Sequence, residues 1–164
     1  MAALQNDAAS MRLTLRLTGQ EPPAPATPEG GEGGPGRFLV GLAVEHFDRR
    51  DREWWPFVRL PAVPVSRQAL EGLLDGARDL LSGVAPGFGW RTGEGGPVAL
   101  QLGAAAGTPG LLVEVAVDLG PWLADLAGGQ PGGEACLFRF AATRADLVRF
   151  ADALAAEAGG GDRA

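Results

Sequence analysis

SRQALEGLLDGARDLLSG, residues 66–83, recurs in outline as TRADLVRFADALAAE, residues 143–157. In the first stretch Leu70, Leu73, Leu74, Ala77, Leu80 and Leu81 fall on one 3.6-residue stripe. Ser66 stands where an N-cap belongs and Gly83 lies just past the last turn, so the pattern predicts a helix. In the second stretch Leu147, Phe150, Ala151 and Leu154 form the stripe, and Thr143 with Asp146 has the spacing of a capping pair. Superposing Ser66 on Thr143 also matches Arg67 with Arg144, Leu70 with Leu147 and Leu73 with Phe150.

Working outward from the two helices, the chain changes to a period of two. MRLTLRLT (11–18) places Leu13, Leu15 and Leu17 opposite Arg12, Thr14 and Arg16. LLVEVAVDL (111–119) places Leu111, Val113, Val115, Val117 and Leu119 opposite Leu112, Glu114, Ala116 and Asp118. Such alternation belongs to a strand with one buried face. RFLVGLAVEHF (37–47), WPFVRLP (55–61), PVALQL (97–102) and ACLFRFAA (135–142) complete a set of six predicted strands. LVGLAVEHF (39–47) resembles LVEVAVDLG (112–120) at the corresponding place, so the order reads as a duplicated βββα unit. The expected fold is α+β, with one six-stranded, mostly antiparallel sheet and both helices packed on its apolar face.

Residues 11–158 form the single expected domain. Residues 19–36 (GQEPPAPATPEGGEGGPG) hold no apolar side chain larger than Ala and read as a flexible insertion. Residues 1–10 and 159–164 read as disordered termini, and Met11 competes with Met1 as the start.

Composition narrows the function classes. The chain has 164 residues, enough for one domain with a full core. Its single cysteine, Cys136, excludes an intramolecular disulfide and agrees with a reducing cytoplasm. No apolar run reaches membrane-spanning length and the N-terminus lacks signal-peptide order, so neither membrane nor secretion is expected. A formal net charge of -6 argues against generic nucleic-acid binding. Lysine, isoleucine and tyrosine are absent, a bias of GC-rich codons, so arginine in place of lysine carries no functional meaning at any one position.

No catalytic motif stands out. There is no GxGxxG or GxxxxGK[ST] between a strand and a helix, and no nucleophile elbow. His46, the only histidine, lies near Asp48, Asp51 and Glu53, where an acid–base couple or a metal site would have to form. One imidazole without a second histidine or a thiolate pair is a poor transition-metal site, so no metal, no cofactor and no catalytic residue is expected. The preferred reading is a half-buried histidine beside a self-neutralising turn, Asp48 to Arg52.

The neighbouring Trp54 and Trp55 cannot both face the core, because adjacent strand residues point to opposite faces. Placing Trp54 with Val58 and Leu60 inward sends Trp55, Phe57 and Arg59 outward. Alternation then collects Leu39, Gly41, Ala43, Glu45, Phe47, Arg12, Arg16, Glu114, Ala116, Asp118 and Arg139 on the same face. Aromatics and arginines grouped around small residues are the composition of an interface hot spot. The binding surface expected is Trp55, Phe57, Arg59, Leu39, Glu45, Arg12, Arg16 and Arg139, with a protein as the partner. A homodimer, or cover by the 19–36 segment, competes for that face.

RLTLRLTG at the start, a Gly-Trp after the first helix and the closing FRFAATRADLVRFADAL together resemble small uncharacterised bacterial proteins related to WapI-type immunity proteins. That resemblance, over most of residues 11–157, implies a non-enzymatic role in neutralising a partner toxin, and it carries no site residues across. The expected function is therefore a non-enzymatic binding protein that engages a protein partner through its sheet face and loops. The alternative is a small enzyme or ligand-binding protein using His46 and nearby carboxylates.

Overall fold

A computed structural model describes residues 1–6, 8, 10–21, 36–93, 96–105, 110–118 and 135–160. The chain runs β1 (Ala2–Gln5), β2 (Met11–Glu21), β3 (Arg37–Asp48), β4 (Glu53–Ser66), α1 (Arg67–Ser82), β5 (Gly87–Arg91), β6 (Val98–Ala104), β7 (Leu111–Asp118), β8 (Ala135–Ala142) and α2 (Arg144–Gly160). The fold class is α+β with two helices, as read. The single six-stranded sheet is corrected to two four-stranded antiparallel sheets, sheet A in the order β1-β2-β3-β4 and sheet B in the order β5-β6-β7-β8. The repeat is therefore ββββα, and the two similar sheets suggest the duplication directly.

Two strands lie where the sequence pattern predicts none. Ala2 and Leu4 of β1 are fully buried and pair with Leu15 and Leu13, so Ala2–Gln5 form a strand where a disordered terminus is expected. β5, GFGWR, turns Phe88 and Trp90 toward the core opposite Leu102 and Leu100. The expected insertion also begins later, since Gly19 to Glu21 still pair with β3; its residues 22–35 lie outside the described residues. At the other end α2 runs on to Gly160, two residues past the expected boundary.

The sheets stay separate because β4 is a poor neighbour for a fifth strand. It carries Pro56, Pro61 and Pro64, and its ladder with β3 shifts register twice. Proline has no N–H to donate, which confines it to edges and bulges. The chain leaves β4 through α1 instead. Ser66 accepts the Ala69 N–H at 3.0 Å, and Gly83 ends the helix in the left-handed region at φ 78°. Thr143 caps α2 in the same way, accepting the Asp146 N–H at 3.0 Å while Asp146 accepts the Thr143 N–H at 3.1 Å.

α1 packs against β5, α2 packs against β1 and β2, and the helices pack on each other. Leu70, Leu73, Ala77, Leu80, Leu147, Phe150 and Leu154 join the inward residues of both sheets in one core. At the margin of sheets A and B, Asn6 bridges to Ala142, joining the β1 end of one sheet to the β8 end of the other.

Two glycines of α1 test this packing. A Cβ on Gly76 would lie 2.6 Å from Cδ2 and 2.7 Å from Cγ of Phe88, whereas one on Gly72 meets nothing within 4 Å. Gly72→Ala should stabilise by up to about 1 kcal/mol, the helix-propensity gain. Gly76→Ala should lower the unfolding temperature despite the same gain, because the Phe88 ring must move. Leu4→Ala should cost about 2–5 kcal/mol in chemical denaturation, whereas an N-terminus outside the core would make it neutral.

Candidate binding surfaces

The expected surface is divided by the two-sheet architecture. Arg12, Arg16, Leu39, Glu45 and Arg59 share the face of sheet A turned away from the core, while Arg139 lies on the corresponding face of sheet B, paired with Glu114. Trp55 and Phe57 belong to neither. Val58 pairs with Val44 but Pro56 pairs with Glu45, so Phe57 is one extra residue in β4. A bulge of one residue inverts the alternation beyond it. Trp55 consequently pairs with His46 on the core side, and Trp54 pairs with Phe47 on the outer side, the reverse of the sequence reading.

On sheet A's outer face this inversion builds a compact polar cluster. Glu45, with a side chain only 7% exposed, accepts from Arg12 Nε at 2.7 Å and lies 3.6 Å from the Arg59 guanidinium. The Arg12 guanidinium stands 4.0 Å above the Trp54 ring, and Phe47 packs against that ring at 5.4 Å. Burying Glu45 would be costly alone; two cations and their donors hold it there. The indole adds a cation–π contact that orients Arg12. Trp54 is the member sequence reasoning missed, because periodicity alone cannot locate a bulge.

On the core side, at the end of sheet A, the rings continue across to sheet B. His46 packs on Phe57 at 4.6 Å, and Phe57 on Phe138 of β8 at 5.6 Å. His46 Nδ1 is buried without a hydrogen bond. Asp48, two residues further on, accepts the N–H groups of Arg50 and Asp51 at 2.7 and 3.4 Å and so serves the turn. Among the described residues no group of three or more His, Cys, Asp or Glu converges on a point. Beyond this ring contact Trp55 and Phe57 emerge half exposed, at 49% and 52%.

Sheet B's outer face is bare by comparison. Gly87 pairs with Gly103, Gly89 with Gln101, and Ala99 with Ala116. An open hollow of about 440 Å³ lies over Gly87, Gly89, Gln101 and Gly103, walled by Leu112 and Glu114. Sequence reasoning missed it together with β5, although the period-two spacing of Phe88 and Trp90 was a usable signal.

No family model and no curated protein matches the chain. Among solved structures it is similar to WHY1 from Arabidopsis thaliana, at 16% identity and a TM-score of 0.42, over 88% of this chain and 76% of that one. The partner expectation is corrected where it excluded nucleic acid. That exclusion rested on a bulk charge, which does not describe a face on which Arg12, Arg16 and Arg59 gather. No helix among the described residues is long and apolar enough to cross a membrane.

The Glu45 cluster should behave as a coupled unit. A double-mutant cycle of Arg12→Met and Glu45→Gln should return a coupling on the order of 1–3 kcal/mol in denaturant unfolding. The exposed Arg78–Asp75 pair, 2.9 Å apart on α1, should return no more than about 0.5 kcal/mol.

Proposed function

We propose that the chain is a non-enzymatic binding protein that engages a protein partner through the aromatic end of sheet A. One observation carries this reading: Trp55 and Phe57, two residues apart in β4, are both half exposed, with Phe57 held from behind by His46 and Phe138. Large aromatic side chains already fixed by neighbours lose little entropy on docking, which is why such residues dominate interface energetics. Arg59, two residues further along β4, is exposed on the outer face beside Glu45. Neutralising a toxin by covering it, the role implied by the immunity-type resemblance, is one form of this function. The histidine and its turn serve here as structural support for the aromatic pair.

The test is retention of partners by the immobilised full-length chain. A protein held by the parent should be held at least about tenfold more weakly, near 1.4 kcal/mol, by Trp55→Ala/Phe57→Ala. The unfolding temperature of that variant should stay within a few degrees of the parent, because both side chains are half exposed. Retention unchanged in the double variant would refute the aromatic end as the site. Loss of the retained material on nuclease treatment would identify nucleic acid as the occupant instead.

A further inference from the structure

The two sheets end in four strand edges, and among the described residues three of them are obstructed. β4 carries three prolines, and β1 and β8 approach each other at the Asn6–Ala142 bridge, with α2 packed on β1. β5 differs. It holds no proline, its register with β6 is unbroken from Gly87 to Arg91, and it is the terminal strand of its sheet. A regular, unobstructed edge offers alternate N–H and C=O groups to an incoming strand.

The two sides of β5 are unlike. Toward α1 they are filled: Trp90 is buried and donates its indole N–H to the Ala69 carbonyl at 2.6 Å, and Phe88 presses on Gly76. On the outer side Gly87 and Gly89 leave the 440 Å³ hollow uncovered, and a Cβ on Gly89 would meet nothing within 4 Å. Arg91 follows on the same side, exposed and without an ion pair among the described residues. A strand added at this edge sets its own alternate side chains beside positions 87, 89 and 91. Opposite Gly89 there is room for a large ring to lie across the glycine, as aromatic residues do when paired with an edge glycine. Two residues on, a carboxylate would meet Arg91.

We infer that β5 is a strand-addition site for an extended segment of another polypeptide, carrying an aromatic residue opposite Gly89 and an acidic residue opposite Arg91. The site is separate from the Trp55–Phe57 end, so either can fail without the other.

The probe is a synthetic peptide that alternates threonine with one Phe and one Glu, in the order Thr-Phe-Thr-Glu-Thr. It would be titrated against the full-length chain while amide exchange is followed residue by residue. Slowed exchange confined to Gly87–Arg91 is expected, together with loss of binding when alternate peptide amides are N-methylated. Gly89→Lys should weaken binding at least tenfold. Should that variant unfold, Arg91→Glu serves in its place, and it should reverse the preference between this peptide and one with Lys for Glu. Protection elsewhere, binding that survives N-methylation, or indifference to both substitutions would overturn the proposal. So would a dimer in sedimentation that Gly89→Lys dissolves, since a second copy would then own the edge.

Discussion

Sheet A turns Leu13, Leu15, Val40, Leu42 and Val44 to one side, and sheet B turns Val98, Leu100, Leu102, Val113 and Val115. Neither four-stranded meander can cover that area from its own strands; the two sheets meet at the β1–β8 margin and at the Phe57–Phe138 ring contact. The cover is the pair α1 and α2, and its geometry is an exchange. α1 leaves sheet A at Ser66 to lie on β5 of sheet B, while α2 leaves sheet B at Thr143 to lie on β1 and β2 of sheet A. Arg144 joins the two helices at their ends, donating to the Leu81 carbonyl at 3.1 Å. Carbonyls in the last turn of a helix lack internal partners, and a cation is favoured there by the helix dipole. Because each unit borrows its lid from the other, neither repeat has a complete core, and everything on the outer faces depends on that exchange.

What was legible in the sequence was local. The caps at Ser66 and Thr143 depend on groups three residues apart, and the leucine stripes on a period of 3.6, so both helices are written in contiguous residues. The strands with strict alternation were equally plain. β1 was not, because AALQ offers only Ala2 and Leu4 inward, and its strand character comes from pairing with Leu15 and Leu13. β5 was masked by its glycines, which suit a loop by propensity; what makes GFGWR a strand is the packing of Phe88 and Trp90 beneath α1. The division into two sheets depends on which strands pair across distance, and no local pattern states it.

The binding surface shows the same limit more sharply. Every residue chosen from alternation before Phe57 falls on the face foreseen for it: Arg12, Arg16, Leu39 and Glu45 all do. Arg59, on the near side of the bulge from β3's Ala43, also does. The one extra residue at Phe57 exchanges Trp54 for Trp55 beyond that point. That exchange gives Arg12 an aromatic partner and leaves Trp55 unsheltered at the core margin. A single unpaired residue thus converts what would have been one mixed surface into a buried polar cluster on one side and an exposed aromatic end on the other.

The two four-stranded sheets share one strand order yet carry different outer faces. β3 and β7 occupy the same place in their sheets, and each carries an alanine at the middle of its outer side, Ala43 and Ala116. Ala43 pairs with Thr14 and Arg59, whose side chains close over it until it is 6% exposed. Ala116 pairs with Ala99 and Leu137, and the floor around it stays open. The strand order is the same; the cross-strand neighbours are not. A sheet whose outer side is capped by Arg–Glu–Trp contacts has little left to offer at that face. On sheet B the outer side has Gly87, Gly89, Ala99, Gly103 and Ala116 beside the Arg139–Glu114 pair. Side-chain size on the two outer faces therefore differs with no change in strand order.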